Sequence, residues 1–476
     1  MQLRTDGTTL VDEHGRQRIL HGINLVAKGP RGQAGVPGTA FRGDWSDEDL
    51  AGLARSGLDA VRLGVIWAAV EPEPGRYDTG HLAWLEDMLD RLHRAGLAVV
   101  LDAHQDLYSQ SFGDGAPAWA TLTAQPFTPS DLWSDAYVSS AAVQEALDAF
   151  WADAPGPDGM GIRTRFTAMW GELARRLGGH PAVIGYDVLN EPAPGALMVE
   201  VQQAILGALA ERTGQAPEQV AADLSDPAAR LAQLARLEDE SLHRAVADAA
   251  APLLAPFEQG PVHDLFRQAA AAIREHRPGA LILREHSYPG NLGVPAAIPP
   301  LDGGAWAYSP HGYDLVVDTE AMSAPSDRRV TTILTRAAET AAGLGVPVIV
   351  GEWGGLGDLA GIGAHIQHQL DLFDRWAWSW FYWSFDASFP GSEAARHLRR
   401  PRAVAVTGRG LRAESSAGGG WKAAWDGAEG PAPTEFWVPE EQDVELVVDG
   451  ARASILREGA RVLITPRPGE HRLRVL

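Results

Sequence analysis

Two glutamates, Glu191 and Glu352, each close a short apolar run. The first run is PAVIGYDVLNEP (Pro181 to Pro192) and the second is VPVIVGEWGG (Val346 to Gly355). Both read as buried strands that end in a carboxylate. Cleavage of a glycosidic bond asks for two carboxyl groups in unlike states. One is protonated and gives its proton to the leaving oxygen; the other is ionised and attacks the anomeric carbon. Two glutamates at the same end of one sheet would meet that demand.

Other polar residues end the remaining apolar runs. They are Asn24 and Lys28, Arg62, His104 and Asp106, Asn190, Glu285 and His286, His311 and Tyr313, and Trp383 with Asp386. Asn190, beside Glu191, is of the type that donates to a sugar 2-hydroxyl, a contact that strengthens in the transition state. Tyr313 and Arg62 stand where they would favour the ionised form of Glu352. Trp383 offers a flat apolar face to the C–H side of a pyranose. Arg62 taken alone also reads as a buried ion-pair partner, and His104 as a core histidine. Glu285 and His286 have a position but no assigned task. The first strand carries Ile23-Asn24-Leu25 in place of a His-x-His pair, so His104 with His311 does not suggest a metal. No metal and no organic cofactor are expected.

A recurrent unit must position these side chains. An amphipathic helix ends at a glycine, an apolar strand follows within a few residues, and a polar residue ends the strand. Copies are SGLDAVRLGV from Ser56, AGLAVVLDAHQD from Ala95, GGHPAVIGYDVLNEP from Gly178, RPGALILREHS from Arg277 and LGVPVIVGEW from Leu344. Strands at Arg18 to Val26, Ala305 to Tyr313 and Trp376 to Phe385 complete a set of eight. Glycine past a helix end supplies a left-handed cap, and β-branched runs apolar on both faces suit parallel strands. The pattern predicts an α/β fold, a (β/α)8 TIM barrel over residues 1–390. Long βα-loop insertions follow two strands: an aromatic one at 106–160 and an alanine-rich helical one at 194–260. The aromatic insertion reads equally as its own small core or as a ligand platform. Past Pro390 short alternating strands appear, which predicts a C-terminal β-sandwich module over 391–476.

Composition narrows the function. The 476 residues carry a net charge of -22, which argues against nucleic acid and anionic membrane surfaces as partners. Cysteine is absent, so disulfides and thiolate metal sites are excluded. No apolar run is long enough to span a bilayer. The N-terminal stretch MQLRTDGTTLVDEHG has no apolar h-region, so no signal peptide is read there. Cytoplasmic residence and export with the leader already removed both fit that reading.

With these residues in place, the chain resembles glycoside hydrolase family 5, a family of retaining (β/α)8 enzymes. The motifs are Asn24 in HGINLV, Arg62 in VRLGV, His104 in DAHQD, Asn190-Glu191-Pro192, His311 and Tyr313 in SPHGYD, Glu352 in GEWGG and Trp383 in FYWSFD. The resemblance implies that Glu191 is the acid/base and Glu352 the nucleophile, with His104, Asn190, His311, Tyr313 and Trp383 around the sugar and Arg62 and Asn24 in support. Within the family the chain is similar to the endoglycoceramidase branch, through NLVAKGP, HQDLYS, GDGAPAWA, VQEALDAFW, RPRAV and TEFWVP. That likeness implies sugar contacts from Lys28 and Asp106 and an apolar groove for a lipid aglycone, with transient contact to lipid aggregates. The expected activity is hydrolysis between a sugar and a lipid. Alternatives are a β-glucosidase or β-galactosidase of simple glycolipids or steryl glucosides, a cellulase-like endo-β-glucanase, and a non-catalytic glycolipid-binding protein.

Overall fold

The computed structural model describes residues 1–33, 35–415 and 420–476. Its centre is a closed parallel barrel. In chain order the strands are β1 (His21–Leu25), β2 (Ala60–Val65), β3 (Ala98–Ala103), β4 (Val183–Asp187), β5 (Ile282–Arg284), β6 (Trp306–Tyr308, resuming at His311–Gly312), β7 (Ile349–Gly354) and β8 (Ser379–Trp383). β6 is interrupted at Ser309-Pro310. Its first part pairs with β5 and its second with β7, which carries the barrel past the break. β8 returns to β1 with Trp380 opposite His21.

Register places the polar strand ends. Asn24 lies opposite Arg62, and His311 lies opposite Glu352. Since side chains alternate along a strand, these pairs fix which residues look into the barrel mouth. Below them, Leu20, Ala60, Val100, Leu283, Ile349 and Phe381 fill the interior as one buried cluster, the packed core expected of a small barrel.

Helices surround the barrel. They include Thr79–Arg94, Ile162–Leu177, Asp327–Leu344 and Gly363–Trp376. Gly345, with φ 66°, and Gly96, with φ 80°, take the left-handed conformation expected past a helix end. Gly178 does not: its φ is -64°. A Cβ there would lie 2.4 Å from the Tyr186 hydroxyl and 2.5 Å from the Ala174 carbonyl oxygen. Glycine is needed at 178 for close approach rather than for handedness.

The first insertion packs against the barrel and its helices, with Phe150 against Trp67 and Phe166, Trp151 against Phe257 and Tyr137 against Tyr288. Tyr108, Phe112, Tyr137, Phe150 and Trp151 are buried in the main core. The second insertion is a run of helices from Leu197–Thr213 to Ala251–Phe257.

The C-terminal strands form two antiparallel sheets that enclose their own core, with Trp421, Trp425, Phe436, Val462 and Leu473 at its centre. Two short neighbouring strands part company there: Ala451–Ala453 pairs in one sheet and Leu456–Glu458 in the other. Three short strands at the N-terminus, Arg4–Asp6, Thr9–Val11 and Gln17–Arg18, join this sandwich. The link is the pairing of Gln17–Arg18 with Arg402–Val406. No local pattern in the sequence marks that pairing.

Candidate active site

The mouth of the barrel is organised by one guanidinium. Arg62, on β2, is fully buried. Its Nε donates to Asp187 at 2.9 Å, and its Nη1 donates to Glu352 Oε1 at 2.6 Å and to Asn24 Oδ1 at 3.1 Å. Nη2 donates to Asp102 at 2.9 Å, Asn190 Oδ1 at 2.9 Å and Glu285 Oε1 at 3.0 Å. A planar fork with fixed donors can hold several carboxylates at set angles.

Glu352 leaves the end of β7 with both oxygens engaged. Oε1 accepts from Arg62, and Oε2 accepts from the Tyr313 hydroxyl at 2.7 Å. Glu191 follows β4 in a left-handed backbone conformation, φ 46°, that is costly for a non-glycine residue. Its own N–H donates to Glu285 Oε2 at 2.7 Å, which fixes that turn. Its Oε1 accepts from Asn291 Nδ2 at 2.6 Å and faces His311 Nδ1 at 2.8 Å. The same Nδ1 lies 3.5 Å from Glu352 Oε2. One oxygen of Glu191, one of Glu352 and a ring nitrogen of His311 all fall within 4.8 Å of one another.

The electrostatics of the two sides differ. Burial raises the Glu191 carboxyl above its ordinary range; Glu352 and Glu285 add to the rise, and His311 offsets part of it. Burial alone would discharge His311, but Glu285, Glu352 and Glu191 outweigh it and hold the ring protonated well above its usual range. Burial and Glu285 push Asp187 well above the carboxylate range despite Arg62.

A second group lines the sugar side. The His104 ring lies 5.2 Å from Trp383, nearly parallel at 15°, and its Nδ1 sits 3.0 Å from Asp102 Oδ2. Lys28 forms an ion pair with Asp106, and its Nζ stands 4.5 Å from the Trp383 ring centroid. Asp114, behind Asp106, accepts from the Asp106 N–H at 2.8 Å. Burial and the Asp106 charge push the Asp114 carboxyl up to about 7.

Both groups open into one cavity of about 560 Å3. At one end stand Lys28, His104, Asp106, Glu191, Glu352 and Trp383. Away from them the wall carries aliphatic Leu132, Met198, Val201, Ile205, Leu206 and Val317, interspersed with Ser134, Asp135, Gln202, Asp318 and Thr319. Most of those aliphatic side chains come from the helix Leu197–Thr213 in the second insertion.

The structure gathers Asn24, Asn190, Glu285, Glu352, Glu191, His311 and Tyr313 around Arg62, with Lys28, His104, Asp106 and Trp383 beside them. It leaves out His286, whose Nδ1 faces the Ser287 carbonyl, and exposed Asp386, which accepts from the Ser388 and Phe389 N–H groups. Asn24, Arg62, Asn190 and His311 do not line the cavity, and the Asn24 amide donates to the backbone at Gly351 and Tyr382. Sequence reasoning missed Asp102 and Asp187, which lie inside strands and face inward. It also missed Gln105, whose amide donates to the carbonyls of Asn190 and Glu191. Asn291 was missed because it sits seven residues past β5, on the short helical turn Tyr288–Leu292. Glu285, left without a task, proves to be a hub.

A parallel barrel with paired carboxylates at the ends of β4 and β7 defines a glycoside hydrolase architecture. The chain belongs to glycoside hydrolase family 5: the family described as Cellulase (glycosyl hydrolase family 5) matches residues 32–388. Among curated relatives, endoglycoceramidase I of Rhodococcus hoagii is 34% identical over 200 residues, covering 41% of this chain and 37% of that protein. A glucosylceramidase of Cryptococcus neoformans is 29% identical over 249 residues, covering 41% and 33%. The chain thus spans less than half the length of these relatives. Among solved structures, endo-glycoceramidase II from Rhodococcus sp. in an iminocyclitol complex matches with a TM-score of 0.72 at 25% identity, over 98% of both chains. Sterylglucosidase 1 of Cryptococcus neoformans matches at 0.71 and 17% identity, over 99% and 97%, a likeness of fold.

Proposed function

We propose that the protein is a retaining β-glycosidase that hydrolyses the bond between a sugar or oligosaccharide and a lipid aglycone, with a glycosphingolipid as the favoured substrate. The observation that carries the reading is the approach of the Glu191 and Glu352 oxygens to within 4.8 Å in a cavity whose wall beyond them includes six aliphatic side chains, Leu132, Met198, Val201, Ile205, Leu206 and Val317. Retaining enzymes place their carboxyl groups about 5 Å apart, and inverting ones leave room for a water between them.

In this reading Glu352 attacks the anomeric carbon and forms a glycosyl ester. Arg62 and Tyr313 orient its two oxygens for that attack. Glu191, whose raised proton affinity suits an acid near neutral pH, protonates the departing aglycone oxygen. It then takes a proton from the water that cleaves the ester. His104, Asn190, His311, Tyr313 and Trp383 surround the sugar at the cleavage point, and Lys28 and Asp106 bind beyond it. The aliphatic side chains of the wall receive the lipid. Burying one side chain of that type is worth about 1.5–3 kcal/mol, so several together favour an apolar aglycone over a further sugar. The names of the relatives, endoglycoceramidases and glucosylceramidases, agree with a sphingolipid.

The test is a panel of glucosylceramide, a ganglioside, a steryl glucoside and cellooligosaccharides, with the products identified. Release of a sugar or intact oligosaccharide from the sphingolipids is expected. Preferred cleavage of cellooligosaccharides would identify an endo-β-glucanase instead. Binding of glycolipid without hydrolysis of even an activated aryl β-glycoside would identify a binding protein.

A further inference from the structure

We infer that Glu285 is a positioning residue that ties the two proposed catalytic carboxylates and the His311 imidazole into one unit. This rests on the reading of Glu191 and Glu352 as acid/base and nucleophile.

Glu285 is 2% exposed and does not line the cavity. Its two oxygens nevertheless engage the groups that hold both carboxylates, the Glu191 backbone N–H and Arg62. Oε2 accepts from the Glu191 N–H at 2.7 Å and so fixes the left-handed turn that aims the Glu191 side chain. Oε1 accepts from Arg62 Nη2 at 3.0 Å, and Arg62 in turn holds Glu352. Oε1 also stands 3.3 Å from His311 Nε2, while the opposite ring nitrogen faces Glu191 and Glu352. The imidazole is therefore flanked by carboxylates on both edges. A carboxylate on one nitrogen fixes what the other nitrogen can donate.

Other charged groups face this cluster from each neighbouring strand. Arg62 comes from β2 and Asp102 from β3. Asp187 and Glu191 come from β4 and its end, and Glu352 from β7. His286 follows Glu285 in the chain and lies near Glu258 and His311. Tyr313 and His104 complete the ring around Glu352. Most of these charges are negative. Removing the Glu285 charge therefore lowers the proton affinity of the Glu191–His311 pair as a whole, whichever residue carries the last proton.

The experiment compares wild type, Glu285→Gln and Glu285→Asp on an aryl β-glycoside across pH, with a histidine 15N titration of each protein. The 311 resonance is assigned by its loss in His311→Asn. For Glu285→Gln, kcat should fall roughly 100-fold with KM changed less than about 3-fold. The basic limb of the profile should move to lower pH by about one unit, and His311 should lose its proton at correspondingly lower pH. Glu285→Asp keeps the charge and shortens the reach, so its limb should stay in place while kcat drops at least about 10-fold. A wild-type limb and an unchanged His311 titration in Glu285→Gln would overturn the inference. So would wild-type kcat in Glu285→Asp, which decides the matter if the Gln variant does not fold. A wild type that hydrolyses nothing condemns the glycosidase reading, while the histidine titration still scores the hold of Glu285 on His311.

Discussion

At the scale of single residues, unlike environments predict unlike defects. Glu352→Gln keeps the shape of the site and removes the nucleophile, so turnover should fall at least about 10⁴-fold while glycolipid binding stays measurable by calorimetry. Glu191→Ala should lose about 10³-fold on a natural glycolipid and less than about 10-fold on a dinitrophenyl glycoside, whose leaving group needs no proton. Equal losses on both substrates would remove its acid role. Asp114 allows a prediction about stability. Its carboxyl is raised to about 7 in the fold, so between its unfolded value near 4 and pH 7 the native state holds a proton that the unfolded chain has released. Stability at this site is therefore full below pH 4 and falls as pH rises towards 7. Asp114→Asn keeps an oxygen for the Asp106 N–H and carries no charge. It should stabilise the protein by on the order of 2 kcal/mol at pH 8 and by little at pH 4, which thermal melts at the two pH values check. The pair Glu191 and Glu352 was legible because each ends an apolar run. Asp102, Asp187 and Asn291 were not, since their meeting with Arg62 and Glu191 is set by register and by a turn across the barrel.

At the scale of elements, the two insertions exchange the emphasis suggested by their composition. The aromatic one reads as a ligand platform or a small core of its own; most of its rings instead join the main core, and of its larger aromatics only Trp133 lines the cavity. The alanine-rich one reads as a plain helical insertion, yet its first helix supplies Met198, Val201, Ile205 and Leu206 to the cavity wall. Composition does not say which face of a helix points at a cleft. Ile205 is half-buried on that wall. Ile205→Asp should raise KM for a lipid glycoside by about 10-fold or more, the worth of one buried aliphatic side chain. Its kcat/KM on an aryl glycoside should stay within about 2-fold. Equal effects on both substrates would move the lipid elsewhere. The eight-strand repeat was legible because helix, glycine and strand recur at regular spacing. The break in β6 was not, because AWAYSPHGY reads as one continuous run.

At the scale of the molecule, the chain ends are interdependent. The N-terminal strands carry Leu3 and Leu10 into the apolar cluster inside the barrel. They also pair, through Gln17–Arg18, with Arg402–Val406 of the sandwich. A charged node reinforces the junction. Asp59 accepts from the His21 N–H at 2.9 Å, from Arg18 at 2.8 Å and from Arg402 at 3.3 Å. Arg402 is 4% exposed and also meets His21 Nδ1 at 3.0 Å. Sequence alone suggested a boundary near residue 390, where helical periodicity stops, because a pairing across more than 380 residues leaves no local pattern. We propose that the barrel does not fold well without the module. A chain ending at residue 390 leaves the N-terminal hairpin without its sheet and bares the sandwich-facing Ile19. It also leaves Arg18 and Asp59 without Arg402. Such a chain should aggregate or melt without cooperativity. Asp59→Asn in the full protein strands Arg402 without its counter-charge, which costs about 3–5 kcal/mol for a buried pair, and should lower the melting temperature by several degrees. If residues 1–390 instead give a soluble barrel that melts cooperatively within a few degrees of the intact protein, the module is a cover and the hairpin is held by the barrel alone.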